Sequence, residues 1–133
     1  MGAVGKLYEL VLEYTEKLDE LSKRDLGDWV VFYSALHLLQ SQAQALIDLF
    51  QRACSLKGLA CESYYNAGER LKELGIISED DLRFYKKVVG FRNLVVHEYA
   101  RVDQSRVREI VSRKDYRRVL ELARKVLDAL GDP

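Results

Sequence analysis

The chain has 133 residues and no net charge, with 21 Lys and Arg against 21 Asp and Glu, and 48% of it is apolar. That length suits one domain, which we expect to span residues 1–133, and is too short for two ordinary domains. The most apolar stretch, residues 29–39, is far shorter than the ~20 residues that a membrane-crossing helix requires. Residues 1–6 lack the pattern of a secretory signal, so we expect a cytoplasmic protein without a membrane partner.

Charge is distributed unevenly along the chain. Residues 1–82 carry eight basic and fourteen acidic side chains, a net charge of −6, whereas residues 83–125 carry thirteen basic and five acidic ones, a net charge of +8. A basic segment of this size attracts polyanions such as RNA, although solvated helix faces also collect Lys and Arg. Charge alone therefore leaves nucleic-acid binding open.

The first two helices are predicted from the spacing of apolar residues. Steps of three and four line up one buried stripe on a first amphipathic helix: Val4, Leu7, Val11, Tyr14, Leu18 and Leu21. Asp28 is suited to cap a second helix, because its carboxylate can accept hydrogen bonds from the free amides of the first turn. Apolar residues surround that helix over 29–39 and keep helical spacing until Gly58, which predicts a central helix of about seven turns.

The second half of the chain predicts further helices. Residues 62–74 form a third one, and Ser78 with Asp81 has the spacing of a capping box that begins a fourth. A short helix over residues 106–112 and a last amphipathic helix over residues 116–130 follow. Since no alternating pattern of a strand appears, we predict an all-α, up-and-down bundle of four main helices plus a short extra helix.

Several reactive or aromatic side chains have ordinary structural interpretations. Cys54 and Cys61 lack the spacing of a metal site and any secretory context, so we expect reduced thiols that fill space. His37 lies in the apolar run of the second helix, where we expect a hydrogen-bonded core residue rather than a second catalyst. Three tyrosines could stack on RNA bases, but aromatic residues at helical spacing usually pack. They are Tyr64, Tyr65 and Tyr85.

The segment Gly-Phe-Arg-Asn-Leu-Val-Val-His-Glu-Tyr, residues 90–99, sets polar side chains among apolar ones next to the most basic part of the chain. Arginine stays charged and can hold phosphate oxygens through two parallel N–H donors, which suits Arg92. Histidine can take up and release a proton near neutral pH, which suits His97 as a general acid and base. Taken alone, the residues favour ordinary structural roles, a surface salt bridge for Arg92 and a hydrogen-bonded histidine at a helix end for His97. As a functional pair, the two side chains could act on an RNA phosphodiester.

Helical geometry limits how these two side chains can meet. Five residues turn through about 500°, so Arg92 and His97 would point about 140° apart on an unbroken helix, whereas Asn93 and His97 share a face. Either the helix ends near Val96 and His97 lies in the following loop, which we favour, or the long arginine reaches the same pocket. Asp48 could be a surface acid or a contact to Arg92, and the sequence leaves this open.

The same segment resembles HepT-like proteins of the HEPN superfamily. Their motif is an arginine, four to six residues, a histidine, any residue and a tyrosine. The chain matches it with Arg92, His97 and Tyr99, and has a polar Asn93 directly after the arginine. The likeness covers roughly residues 30–112 and includes three flanking segments, residues 45–48, 71–77 and 99–103.

The resemblance implies a metal-independent endoribonuclease without a cofactor, acting as the toxin of a type II toxin–antitoxin pair. Arg92 and His97 would be catalytic, with Asn93 and Tyr99 in support, and attack by the 2′-hydroxyl would leave a 2′,3′-cyclic phosphate. The resemblance also implies a homodimer in which two sets of these residues share one RNA cleft. Some relatives act on transfer RNA, which makes transfer RNA a candidate substrate.

The resemblance further implies a partner, a minimal nucleotidyltransferase antitoxin that would add AMP to Tyr99. A bulky, negatively charged group two residues from His97 would occupy the phosphate site and repel RNA. The alternative is a catalytically silent HEPN module that docks the nucleotidyltransferase or binds nucleotide or RNA. The intact Arg92 and His97 favour the nuclease. A purely structural helical dimer would leave the basic segment without a role.

Overall fold

The computed structural model of the protein describes residues 2–131, which form six α-helices and one short 3-10 turn at Tyr99–Arg101. The α-helices are α1 Ala3–Leu21, α2 Trp29–Leu56, α3 Tyr64–Glu73, α4 Glu79–His97, α5 Gln104–Arg113 and α6 Arg117–Leu130. The predicted all-α bundle with its long central helix is confirmed, and within residues 2–131 it contains six α-helices where the prediction counts four main helices and a short one. No helix in this range combines the length and the apolarity needed to cross a membrane.

Side-chain caps fix the starts of the central helices, as the sequence predicts. Asp28 caps α2 by accepting a hydrogen bond from the Val30 amide at 2.8 Å. Ser78 and Asp81 form a reciprocal capping box at the start of α4, with both bonds 3.0 Å long. Since these bonds satisfy amides that a helix start leaves unpaired, they place the beginning of α4 and therefore the register of everything that follows on it.

The bundle is organised around α2, which contacts each of the other five α-helices. One buried cluster joins the second half of α2 to α3, the first part of α4 and α6, and there the rings of Phe50 and Tyr85 stack with centroids 4.0 Å apart. A second cluster joins the first half of α2 to α5 and the end of α4, where Val95 shares the core with Phe32 and Leu36. Helix α4 therefore runs antiparallel to α2.

Helix α3 lies close against α4 because a glycine faces the contact. A Cβ atom on Gly68 would lie 2.5 Å from Cδ2 of Tyr85, which no real side chain tolerates. The missing side chain lets the ring of Tyr85, fully buried as the sequence predicts, fit between the two helices. This close approach brings the start of α3 to the face of α4 that carries Arg92.

The expectation for the two cysteines is wrong, because Cys54 and Cys61 form a disulfide. After α2 ends, the chain reverses at Gly58, whose φ of 70° suits glycine, and the Leu59 amide donates to the carbonyl oxygen of Cys54 at 3.0 Å. This turn brings the two Cα atoms to 6.3 Å, within the range that a disulfide needs. Reasoning from cysteine spacing and cellular compartment could not anticipate the reversal.

The expectation for His37 is also wrong, because this histidine is exposed and lines a shallow surface pocket with Trp29 and Tyr33. The apolar residues do surround the first turns of α2, but one face of that helix has no cover. Trp29 is 71% exposed and Tyr33 is 46% exposed. Apolar character on every side therefore does not mean burial on every side here.

Candidate active site

Helix α4 carries the sequence motif in its last two turns. Arg92 and Asn93 lie in the body of the helix, and His97 is its last residue rather than the first residue of a loop, which corrects our expectation. The helix ends there because Glu98 leaves the helical region, with φ −138° and ψ 47°, although its amide still donates to the Leu94 carbonyl at 2.9 Å. His97 therefore projects from a regular turn.

Three neighbours hold the half-buried guanidinium of Arg92 in one orientation. Its Nε donates to Oε1 of Gln44 on α2 at 2.8 Å, and its Nη1 donates to Oδ1 of Asn93 at 3.0 Å. The guanidinium carbon also lies 5.3 Å from the ring centroid of Tyr64 on α3, a cation–π distance. Helices α2, α3 and α4 therefore each supply a contact to the same cation.

Asp48, whose role the sequence leaves open, is connected to Arg92 through Gln44. The side chain of Asp48 is exposed, and its Oδ1 accepts a hydrogen bond from Nε2 of Gln44 at 2.9 Å. Gln44 and Asp48 are four residues apart on α2 and share its outward face. Among the described residues, Asp48 is therefore a surface acid that is hydrogen-bonded to Gln44, the residue that contacts Arg92, rather than to the arginine itself.

Tyr64, whose ring lies beneath Arg92, is held in place by a hydrogen bond from the core. The hydroxyl of Tyr85 donates to the backbone carbonyl of Tyr64 at 2.7 Å, which holds the first residue of α3 against α4. Burial raises the pKa of Tyr85 far above its ordinary value, so this hydroxyl keeps its proton and remains a donor. Tyr64 therefore packs as predicted, although its packing partner is the candidate catalytic arginine.

Within residues 2–131 of one chain, no hydrogen bond links the side chains of Arg92 and His97. In the described part of the chain, the hydrogen bonds of Arg92 go to Gln44 and Asn93, whereas His97 is exposed at the end of the helix. Asn93 lies between the two side chains. It accepts a hydrogen bond from Arg92, and it lies one helical turn before His97 on the same face. The structure brings Arg92 and Asn93 together and leaves His97 at the end of α4, one helical turn beyond Asn93.

Tyr99 is 52% exposed at the start of the 3-10 turn, two residues after His97. Beside it, Arg101 and Glu98 form a surface ion pair at 3.0 Å. Further along the basic segment, Arg106 and Glu109 pair at 2.9 Å. Exposed pairs of this kind contribute little stability, so these arginines remain available to a polyanion that approaches the end of α4.

The sequence does not identify Gln44 and Tyr64 as functional residues. Gln44 is 48 residues from Arg92 in the chain, and the contact depends on how α2 packs against α4. The only local signal is the helical spacing of Gln44 and Asp48, which predicts a shared face but no partner. No group of three or more His, Cys, Asp or Glu side chains within residues 2–131 is arranged to hold a metal ion.

Fold and motif together define a class of protein, a small helical bundle that carries an arginine and a histidine near the end of its fourth helix. The chain belongs to the ribonuclease HepT-like family, whose model matches residues 8–126. A protein of Archaeoglobus fulgidus named "Putative RNase" is 34% identical over 99 residues, which are 74% of this chain and 72% of that protein. The resemblance found in the sequence is thereby confirmed.

Two solved structures share the fold. A structure of a toxin–antitoxin with AMP-PNP superposes with a TM-score of 0.77 at 18% identity, covering 93% of this chain and 98% of that chain. YutE, a cytosolic protein of unknown function from Bacillus subtilis, superposes with a TM-score of 0.73 at 14% identity, covering 95% of this chain and 92% of that chain. At these identities, both likenesses concern the fold alone.

Proposed function

We propose that the protein is an endoribonuclease toxin in which Arg92 and His97 act on one phosphodiester. The observation that carries this proposal is the orientation of Arg92, which neutral side chains hold in place at the motif of a HepT-like ribonuclease chain. Only Nε and Nη1 of the guanidinium have acceptors within residues 2–131, so Nη2 is left to a phosphate oxygen.

The chemistry requires no metal or cofactor. His97 takes the proton from the 2′-hydroxyl as the new bond from the 2′-oxygen to phosphorus forms. The bond to the 5′-oxygen then breaks as that oxygen receives the proton from the imidazolium of His97. Arg92 stabilises the negative charge that accumulates on the phosphorane oxygens. The products are a 2′,3′-cyclic phosphate and a free 5′-hydroxyl. We expect transfer RNA among the substrates.

A homodimer completes this site. Arg92 faces α2 and α3 while His97 lies at the exposed end of α4, so a second copy that contributes its own α4 end can bring a histidine and an arginine to one cleft. Large apolar side chains are exposed near this end of the bundle. They are Trp29, Val30, Tyr33, Val96 and Tyr99. A patch of this kind is typical of a surface that another protein covers.

The antitoxin partner is a minimal nucleotidyltransferase that modifies Tyr99. The hydroxyl of Tyr99 would attack the α-phosphorus of ATP, forming a phosphodiester to AMP, releasing pyrophosphate and losing its proton to solvent. The exposure of Tyr99 and its position beside His97 support this step, and one structural relative is itself a toxin–antitoxin structure with AMP-PNP. The added negative charge would exclude RNA from the cleft.

The nuclease proposal is tested with protein freed of antitoxin and incubated with transfer RNA in chelator. We expect cleavage with 2′,3′-cyclic phosphate ends, and we expect His97→Ala to lower the rate by roughly 10²- to 10⁴-fold, the usual contribution of proton transfer. Helical circular dichroism and binding of RNA must both survive in this variant. Arg92→Ala should also abolish cleavage, whereas the matched control Arg113→Ala, an exposed arginine of the basic segment, should cleave normally.

Two outcomes contradict the proposal. Cleavage by His97→Ala at the wild-type rate removes this histidine from the mechanism. Tight binding of RNA without any cleavage by the wild-type protein instead supports the alternative, a catalytically silent HEPN module that recognises RNA, nucleotide or its nucleotidyltransferase.

A further inference from the structure

We propose that Gln44 is a positioning residue for Arg92, and that Asp48 sets the direction in which the Gln44 amide points. This inference rests on the proposed nuclease function, because it concerns the alignment of the arginine in that reaction. Its basis is the continuous chain of bonds from Asp48 Oδ1 to Gln44 and from Gln44 Oε1 to Arg92 Nε, with lengths of 2.9 and 2.8 Å.

The orientation of the Gln44 amide in this series of hydrogen bonds follows from which groups can donate and which can accept. An ionised carboxylate only accepts hydrogen bonds, so it binds the NH₂ end of the Gln44 amide. The oxygen end must then face Arg92, whose Nε only donates. The opposite orientation would set NH₂ against Nε–H and a carbonyl oxygen against a carboxylate. Asp48 and Arg92 therefore select the same orientation of Gln44, and the amide relays the position of α2 to the guanidinium.

The amide side chains that orient Arg92 are uncharged, and this matters for the binding of RNA. Gln44 and Asn93 both offer amide oxygens, which orient the guanidinium without cancelling its charge. A carboxylate at position 44 would form an ion pair with Arg92 and compete with phosphate for the same donors. The structure thus explains why glutamine, rather than the similarly shaped glutamate, suits this position.

Gln44 is supported by the packed interior of the bundle. It is half-buried on α2, the helix that contacts all the others, and its neighbour Ala45 belongs to the buried core. Tyr64 lies under the face of the guanidinium and limits its movement away from the amide. When packed helices align a catalytic side chain, small displacements of that side chain lower the rate of the reaction more than they weaken binding of the substrate.

The experiment compares two substitutions at position 44 with a matched control. Gln44→Leu removes the acceptor at similar volume, and we expect kcat for RNA to fall about 10-fold while KM changes by less than about 2-fold. Gln44→Glu should weaken binding of a short, uncleavable 2′-O-methyl oligonucleotide. The slope of the logarithm of the binding constant against the logarithm of the salt concentration should decrease by about one phosphate contact. Gln40→Glu adds the same charge one turn earlier on α2 and should leave that slope unchanged. Asp48→Asn should lower kcat by a smaller factor than Gln44→Leu.

The outcomes separate this inference from the proposed function. If Arg92→Ala abolishes cleavage while both Gln44 variants behave like Gln40→Glu, the positioning role is wrong and the nuclease stands. If Arg92→Ala cleaves at the wild-type rate, the nuclease proposal itself fails. A purely structural role for Gln44 would lower the melting temperature and leave kcat of the folded fraction and the salt slope unchanged, which also overturns the inference.

Discussion

Arginine side chains in this protein differ in the partners that hold them, and Arg117 and Arg92 show the contrast. Arg117 donates to a carboxylate oxygen of Asp19 at 2.9 Å, and Tyr116 donates to the same oxygen. Burial works to raise the pKa of Asp19, but these hydrogen bonds outweigh it and hold that pKa below its ordinary value. Arg92 instead has amide acceptors, so its charge remains available to a ligand.

Tyr99 is the residue at which regulation can be tested directly. With a nucleotidyltransferase antitoxin and ATP, we expect mass spectrometry to find a single AMP on Tyr99 and the modified protein to lose RNA cleavage, because the added phosphate repels the substrate. Tyr99→Phe should take up no AMP. Tyr65→Phe, which alters another exposed tyrosine, should be modified like the wild type. Label found on other tyrosines alone would reject the switch.

Spacing along the chain predicts some of the site and misses the rest. Arg92, His97 and Tyr99 stand at fixed intervals within eight residues, so a sequence pattern is enough to propose them. Gln44 and Tyr64 reach Arg92 only through the packing of α2 and α3 against α4. Contacts across helices depend on the rotation and height of each helix, which a local pattern does not encode.

At the scale of secondary structure, local chemistry predicts helix starts well. Asp28 and the pair Ser78 and Asp81 cap α2 and α4 where the sequence places them. Helix α3 begins at Tyr64, later than residue 62, because Ser63 provides its cap by accepting from the Asn66 amide. Helix ends are less certain from sequence, as the one-residue extension of α4 to His97 shows.

The link between α2 and α3 gives a prediction for stability. The disulfide of Cys54 and Cys61 closes a loop with a sequence separation of 7, for which chain entropy alone accounts for about 2 to 3 kcal/mol. We expect Cys61→Ser, or reduction of the wild type, to lower the free energy of unfolding by about 2 kcal/mol in urea titrations. Reductant should not affect the variant. A wild-type curve that is the same with and without reductant would show that the thiols are free.

At the scale of the whole molecule, the fold class is readable from the sequence because helical spacing and caps recur along the chain. The division of the interior into two clusters around α2 is not, since it depends on which helices meet. The single domain over residues 1–133 stays a prediction. The uncovered face of α2 is also missed, because hydrophobicity does not distinguish a core from a surface that binds another protein.

The prediction for the oligomeric state concerns this uncovered face of α2. We expect light scattering to report a dimer for the wild type, and the double variant Trp29→Asp with Tyr33→Asp to be a monomer, because each buried charge opposes association. RNA cleavage should fall with the loss of the dimer. Leu74→Asp alters an exposed apolar residue after α3 that is 49% accessible and should remain dimeric. A fully active wild-type monomer would contradict a shared cleft.

The support of Arg92 by three helices has a consequence for the life of the chain in a cell. A nascent or partly degraded chain contains the residues of the motif but lacks the packed helices that orient the guanidinium of Arg92. The proposed nuclease activity would therefore appear only after synthesis and packing are complete, and would vanish as soon as α2 and α3 separate from α4. A peptide copying α4 alone should be inert, and loss of the native state should itself abolish the activity.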